Sequence, residues 1–364
     1  MKVSGGTLRG GTAHGGIDVR TRRIGFIALA VLALAAGLHG ALWWRAVVAL
    51  EDGAMRWAEA RRSAGGSVAH GPPERGGWPL HARVKLPAVA VAGVDGGTRW
   101  DVQAMALDLE LALLQPTALA LVLTGPFALN ATAAGGEVFF ARGTADLARA
   151  TMPFSPGSAQ SAIQVALRGP RLDTSLGQLS ATAVDLRAER RWPGVPDEPS
   201  ALAALTLENL MLPPDSGAPL GEVIASASIE LQLVGALPAA GPLPARLATW
   251  RDANGWVELS RVDLRWGPLA LTGTATLALD PALQPMGQAA TRVGGVAQTL
   301  DLLTARGLVP RNAAATARPL LLLMSRSPPE GGPPVVELAL TLQDRTLSAG
   351  RITLVRLPRV DWPP

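Results

Sequence analysis

From Ile24 to Trp44 the chain runs for 21 residues without a formal charge. This run constrains the fold more than any other feature, because a helix of that length spans about 31 Å, close to the hydrocarbon thickness of a bilayer. Arg20, Arg22 and Arg23 stand just before it, Ile24 and Phe26 open it, and Trp43 and Trp44 close it ahead of Arg45. Basic residues before an apolar span hold the N-terminus in the cytoplasm, and tryptophans gather at the interface. The pattern predicts a basic cytoplasmic tail over 1–23, a single-pass membrane helix over 24–44, and export of everything after it. The rival reading is a cleaved signal peptide, with Ala33-Leu34-Ala35 as the small-x-small site, although the apolar run continues well past that point. A buried soluble helix would need a core around its whole circumference.

The helical pattern persists beyond the span. Val47, Leu50, Ala54, Trp57 and Arg61 recur at spacings of three and four, while Glu51, Asp52, Arg56, Glu59 and Arg62 fall largely elsewhere. This predicts an amphipathic stalk helix over 45–65, ending near Gly65-Gly66. Packing on its own body is the simpler reading; a membrane-surface or partner helix is the alternative.

The formal net charge is +4, and the tail accounts for all of it: Lys2, Arg9, Arg20, Arg22 and Arg23 stand against Asp18 alone. The remainder is electrically balanced. A nucleic-acid binder needs a concentrated positive surface, so no nucleic-acid partner is expected. With 48% hydrophobic and 17% charged residues, the chain is too apolar to be disordered throughout. Cysteine is absent, which removes disulfides, thiolate nucleophiles and cysteine metal sites.

The body over 66–364 opens with a turn-rich connection, and from Trp78 onward alternation with period two dominates. Met105, Leu107, Leu109, Leu111 and Leu113 share one face, with Asp108 and Glu110 on the other. Leu119, Leu121 and Leu123 form the next apolar face, ending at Gly125-Pro126. Two such strands around a short turn read as an antiparallel pair. The signal recurs at Ile163–Leu167, Leu176–Arg190, Leu202–Leu212, Ile229–Leu233, Leu269–Leu279, Val336–Leu342 and Ile352–Leu354. Leu107, Leu109, Leu111, Leu119, Leu121, Leu269 and Leu271 are the candidate apolar sheet face. Val296, Leu300, Leu303 and Leu308 suit a short helix, and Asn312–Met324 a second, kinked or divided at Pro319. The expected fold is mainly β: a large antiparallel sheet, as a curved sheet, groove or sandwich, with two C-terminal helices capping it. A weak echo between Trp100 to Gly125 and Trp256 to Gly273 suggests two related halves, about 78–190 and 200–364.

The order of short motifs resembles a known family. A Trp-Ala-Glu-Ala-x-Arg stalk (Trp57 to Arg62) is followed by Gly77-Trp78-Pro79 opening a strand. Leu264-Arg-Trp-Gly-Pro-Leu-Ala-Leu-Thr-Gly273, the helical pair and a last strand pair ending Arg356-Leu357-Pro358 complete it. The chain resembles the uncharacterised proteobacterial envelope proteins grouped as domain of unknown function 2125 (DUF2125), with Trp78 where Phe or Tyr is expected. The resemblance implies an inner-membrane anchor, a periplasmic body and no assigned activity.

No catalytic, cofactor-binding or metal residues are expected, and no cofactor. Of four histidines, His14 lies in the tail, His39 in the span and His70 in the turn-rich connection, leaving His81 as a solvated strand residue. His39 reads as a tolerated interfacial residue. No nucleophile elbow or phosphate loop appears where a strand meets a helix. Asp108 and Glu110 could form an acid pair, but a solvent-facing polar row is the simpler reading. Asn130-Ala-Thr132 matches a glycosylation acceptor, a pattern common by chance. The favoured function is a non-enzymatic envelope accessory or scaffold that binds membrane lipid or another hydrophobic ligand. An interaction module for envelope proteins and a membrane-anchored hydrolase are the alternatives.

Overall fold

The computed structural model describes residues 19–364 except 96, 134, 154–159, 192–197, 239–240, 327–333, 351 and 363–364. Most of the basic tail lies outside the described residues, as does most of the Pro-rich stretch between the two suggested halves.

The membrane span and the stalk form one helix, α1 (Val19–Ser63), 45 residues long. Arg20, Arg22, Arg23 and Ile24 belong to its first turns. Phe26 and the apolar side chains that follow stand outside the body and are exposed. Among the described residues this is the one helix long and apolar enough to cross a membrane, a property that anchors and signal sequences share.

Among the described residues nineteen strands follow in a single antiparallel sheet. They are β1 (Ser67–Ala69), β2 (Glu74–Gly76), β3 (His81–Asp95), β4 (Thr98–Ala112), β5 (Ala118–Thr132), β6 (Val138–Thr144), β7 (Leu147–Pro153), β8 (Gln160–Arg168), β9 (Arg171–Thr174) and β10 (Gly177–Ser180). Then come β11 (Ala183–Arg191), β12 (Pro199–Met211), β13 (Val223–Val234), β14 (Trp256–Trp266), β15 (Leu269–Leu279), β16 (Pro285–Gly294), β17 (Val335–Gln343), β18 (Thr346–Ala349) and β19 (Ile352–Arg356). Helix α2 (Leu243–Asp252) joins β13 to β14, and α3 (Val296–Ala305) and α4 (Arg311–Met324) join β16 to β17. The two C-terminal helices were expected, and α4 passes through Pro319 as one element. Helix α2 was not expected. It is held by Trp250, which is buried and donates from Nε1 to the Val234 carbonyl at 2.9 Å.

The sheet is a meander. β1 and β2 lie side by side on β3, and pairing then proceeds through β4 and β5. Three of the next positions are occupied by strands broken in two: β6 with β7, β8 with β9, and β10 with β11. From β12 to β19 each strand pairs with its successor. Strands β11 and β12 pair from Ala183–Glu208 to Arg190–Ala201, so the sheet runs unbroken past the suggested division near 191–199.

The breaks line up. Ala88 of β3 has a left-handed backbone (φ 50°) and lies opposite the irregularity between Ala104 and Ala106 of β4. Across from that sits Gly125 (φ 78°) of β5, followed by Pro126. The gap between β6 and β7, the Gly169-Pro170 link, the gap between β10 and β11, and Asn209 (φ 49°) continue the line. It reaches β13 at the register shift between Ile224 and Ser226. Bulges bend a strand and raise its twist, so their alignment folds a crease across the sheet. The expectation that the strand stops at Gly125-Pro126 is therefore corrected: β5 continues to Thr132, bent at that point rather than ended.

The buried core is small and local. Val47 and Leu50 of α1 pack on Ala82, Val84 and Leu86 of β3 and on Leu109 and Leu111 of β4, with Leu119 and Leu121 of β5 at the margin. The stalk is thus a helix packed on its own body. Its buried stripe differs from the expected one: Ala58 faces inward and Trp57 is 55% exposed. Trp43, expected at the lipid interface, instead donates to the carbonyls of Gly76 (3.3 Å) and His81 (3.1 Å). Trp44 does face outward, with the Arg75 guanidinium 4.8 Å from its ring. His39 has a partner in the Pro79 carbonyl at 2.7 Å.

Candidate functional site: an uncovered apolar sheet face

The register places the candidate leucines in continuous rows. One row reads Val84, Leu109, Leu121, Ala150, Val165, Leu186, Leu205, Ile229 and Val262, each directly opposite the next. The adjacent row reads Leu86, Leu107, Leu123, Ala148, Leu167, Val184, Leu207, Ala227, Leu264, Leu271 and Val293. Leu111 faces Leu119 in a third row, and Leu269, opposite Trp266, shares the face of Leu271. Leucines more than 150 residues apart in the chain thus meet on one surface, because side chains of paired strands stay in step across an antiparallel ladder.

The other face is polar. In register it reads Lys85, Asp108, Val122, Arg149, Ala166, Asp185, Thr206, Ser228, Asp263, Thr272, Arg292 and Glu337. Three of its acids stand beside arginines. Glu110 lies 3.5 Å from Arg149, Asp185 2.8 Å from Arg168, and Glu337 3.0 Å from Arg292. A cleft of about 760 Å³ on this face is lined by Arg261, Asp263, Thr272, Arg292 and Glu337. Asn130 spends its amide on Asp101 at 2.8 Å. Among the described residues no group of three His, Cys, Asp or Glu is placed to hold a metal.

Asp108 and Glu110 do not form a bare acid pair. Asp108 is buried, accepts from Thr124 Oγ1 at 3.1 Å, and has Arg83 Nε at 3.9 Å. A buried carboxylate held by so few donors is sensitive to what remains around it. Asp108→Ala removes the Thr124 acceptor and strips Arg83 of its counter-charge, and is expected to cost about 1–3 kcal/mol. Urea unfolding of the full chain, followed by tryptophan fluorescence, measures this; no change in midpoint would show that solvent already satisfies both groups.

Coverage distinguishes the parts of the apolar face. Helix α1 packs over β3, and α3 and α4 lie against β15 and β17. A pocket of about 190 Å³ between those two helices is lined by Val296, Leu300, Leu321 and Val336. Among the described residues the close helix–strand approaches are those of α1 to β1 and β3, of α3 to β15 and of α4 to β17. Val84 is 0% exposed under α1, whereas Leu186, in the same row, is 37% exposed. From β7 to β14 the face measures on the order of 25 by 30 Å, more than the few hundred Å² a monomeric protein ordinarily exposes.

A bacterial family described as an uncharacterized protein conserved in bacteria, DUF2125, matches residues 43–358. The chain belongs to the DUF2125 family. The match begins at Trp43, which donates to the Gly76 and His81 carbonyls, and ends at Pro358, the last residue of the Arg356-Leu357-Pro358 motif. The DUF2125 unit therefore includes the inner half of α1 as well as the sheet. No curated protein and no solved structure matches the chain.

Proposed function

We propose that this DUF2125 protein is a non-enzymatic carrier of lipid acyl chains, or of an elongated apolar ligand like them, held at the inner membrane by α1 with its body in the periplasm. One observation carries the reading: a continuous apolar face in register across the sheet, on which Leu186 in the middle is exposed while Val84 under α1 is not. A closed sandwich would spend this face on a second sheet. Here the hydrophobic surface stays available, and acyl chains match its length and chemistry. Anchoring is favoured by the unbroken course of α1 from the arginines at 20–23 into the core at Val47. An enzyme is disfavoured by the polar face, where Glu110, Asp185 and Glu337 each stand beside an arginine.

The test is site-specific photocrosslinking in cells grown with radiolabelled acetate. A benzophenone side chain at Leu205 is expected to capture labelled lipid, and one at Thr206, on the opposite face, is not. Equal lipid capture at both positions, or capture only of protein at Leu205, would overturn the carrier reading; the second result would favour an interface with another envelope protein.

A further inference from the structure

Helix α1 leaves the body at one particular edge of the sheet. His39 bonds to the Pro79 carbonyl, and Trp43 donates to the carbonyls of Gly76 and His81. The ring of His39 also meets Trp78 edge-on, with centroids 6.5 Å apart. These contacts fix the helix to the end of the sheet where β3 begins, where β4 ends at Ala112, and where the β4–β5 turn lies. The helix residues from Phe26 to Leu38 project beyond that edge, apolar and exposed.

The same edge carries large apolar side chains that are exposed. Trp78 and Leu80 precede β3, and Leu114 lies in the turn after β4. Leu80 is 60% exposed and Leu114 79% exposed. Leu113 Nα donates to the Leu80 carbonyl at 3.1 Å, so the two exposed leucines sit on adjoining backbone. Scattered apolar residues on a surface need no explanation. These three are instead grouped at the point where an apolar helix of membrane-spanning length emerges.

We infer that this edge of the sheet is a membrane-docking rim, and that Trp78, Leu80 and Leu114 enter the leaflet through which α1 emerges. The helix supplies the second partner of the interface, because a body bonded to its anchor at His39 and Trp43 cannot turn freely about it. The strands then stand on the bilayer by one end. The apolar rows described above begin at that end, at Leu111 opposite Leu119, so the uncovered face opens toward the leaflet that holds the acyl chains. This inference rests on the anchor reading and names the source of the lipid in the carrier proposal.

The absence of cysteine allows a clean test. Single variants Leu80→Cys, Leu114→Cys and Val94→Cys are made in the full chain, labelled with an environment-sensitive fluorophore, and reconstituted into phosphatidylethanolamine–phosphatidylglycerol vesicles. Val94 is the matched control: it is 61% exposed and sits near the far end of β3, about 45 Å from Leu80 along the strand. The expected result is blue-shifted emission at 80 and 114 and at least threefold stronger quenching there by nitroxide-labelled lipid than at 94. Equal quenching at all three positions would overturn the rim. Neither readout needs lipid on the sheet face, so a quenched rim without lipid capture at Leu205 would fail the carrier reading alone.

Discussion

A Val84→Asp chain is expected not to fold, while Leu186→Asp, in the same apolar row, is expected to fold normally and lose its ligand. Val84 is completely buried beneath Val47 and Leu50. A carboxylate there has no described donor nearby and no water, and leaving it unpaired costs several kcal/mol. A stability of about 5–15 kcal/mol for a typical domain does not absorb such a loss together with the lost packing. Leu186 differs only in what lies above it. Its side chain already meets solvent, so an aspartate keeps its hydration and the effect on stability stays within about 1 kcal/mol. An acyl chain lying across the row would, however, have to desolvate that charge. Protease resistance and circular dichroism separate the two variants, and lipid capture at Leu205 should fall about tenfold in Leu186→Asp. Unfolding of Leu186→Asp would mean that the central face is covered, and the carrier proposal would fall with it.

The pairing of these two residues also shows how far the sequence could be read. Alternation assigns side chains to faces, since successive residues of a strand point to opposite sides. Leu107, Leu109, Leu111, Leu119, Leu121, Leu269 and Leu271 do lie on one face in register. Whether that face is covered is a different question. A sandwich and an uncovered sheet need the same alternation, and the answer depends on elements distant in the chain. The crease had local signs in Pro87-Ala88, Gly125-Pro126 and Gly169-Pro170. Each reads as a strand end in isolation; only the register shows them side by side. Trp57 misled for a related reason. Helical spacing puts it on the stripe of Leu50 and Ala54, but α1 approaches β1 there, and the small Ala58 occupies the contact. Helix α2 had too little apolar periodicity to be seen, because one residue, Trp250, supplies its buried contact.

Removing the stalk should be as damaging as placing a charge at Val84. A chain beginning at Gly66 retains every described strand but lacks the whole of α1. Trp43, Ala46, Val47, Leu50, Ala54 and Met55 would be missing from the surface of β3 and β4. Each large side chain lost from such a contact removes about 1.5–3 kcal/mol, and the partners Val84, Leu86, Leu109 and Leu111 are exposed in turn. The sum exceeds the stability of an ordinary domain. The truncated chain is therefore expected to be insoluble or rapidly degraded. A chain beginning at His39 should keep the core, the Trp43 bonds to Gly76 and His81, and the His39 bond to Pro79. It should fold without the membrane span if kept in mild detergent. Limited proteolysis and sedimentation of the two chains, expressed side by side, provide the comparison. The family match beginning at residue 43 rather than at the first strand supports the same boundary. A folded, monomeric chain starting at Gly66 would show that α1 is a tether alone, and that the sheet holds its shape without α1 on its apolar face.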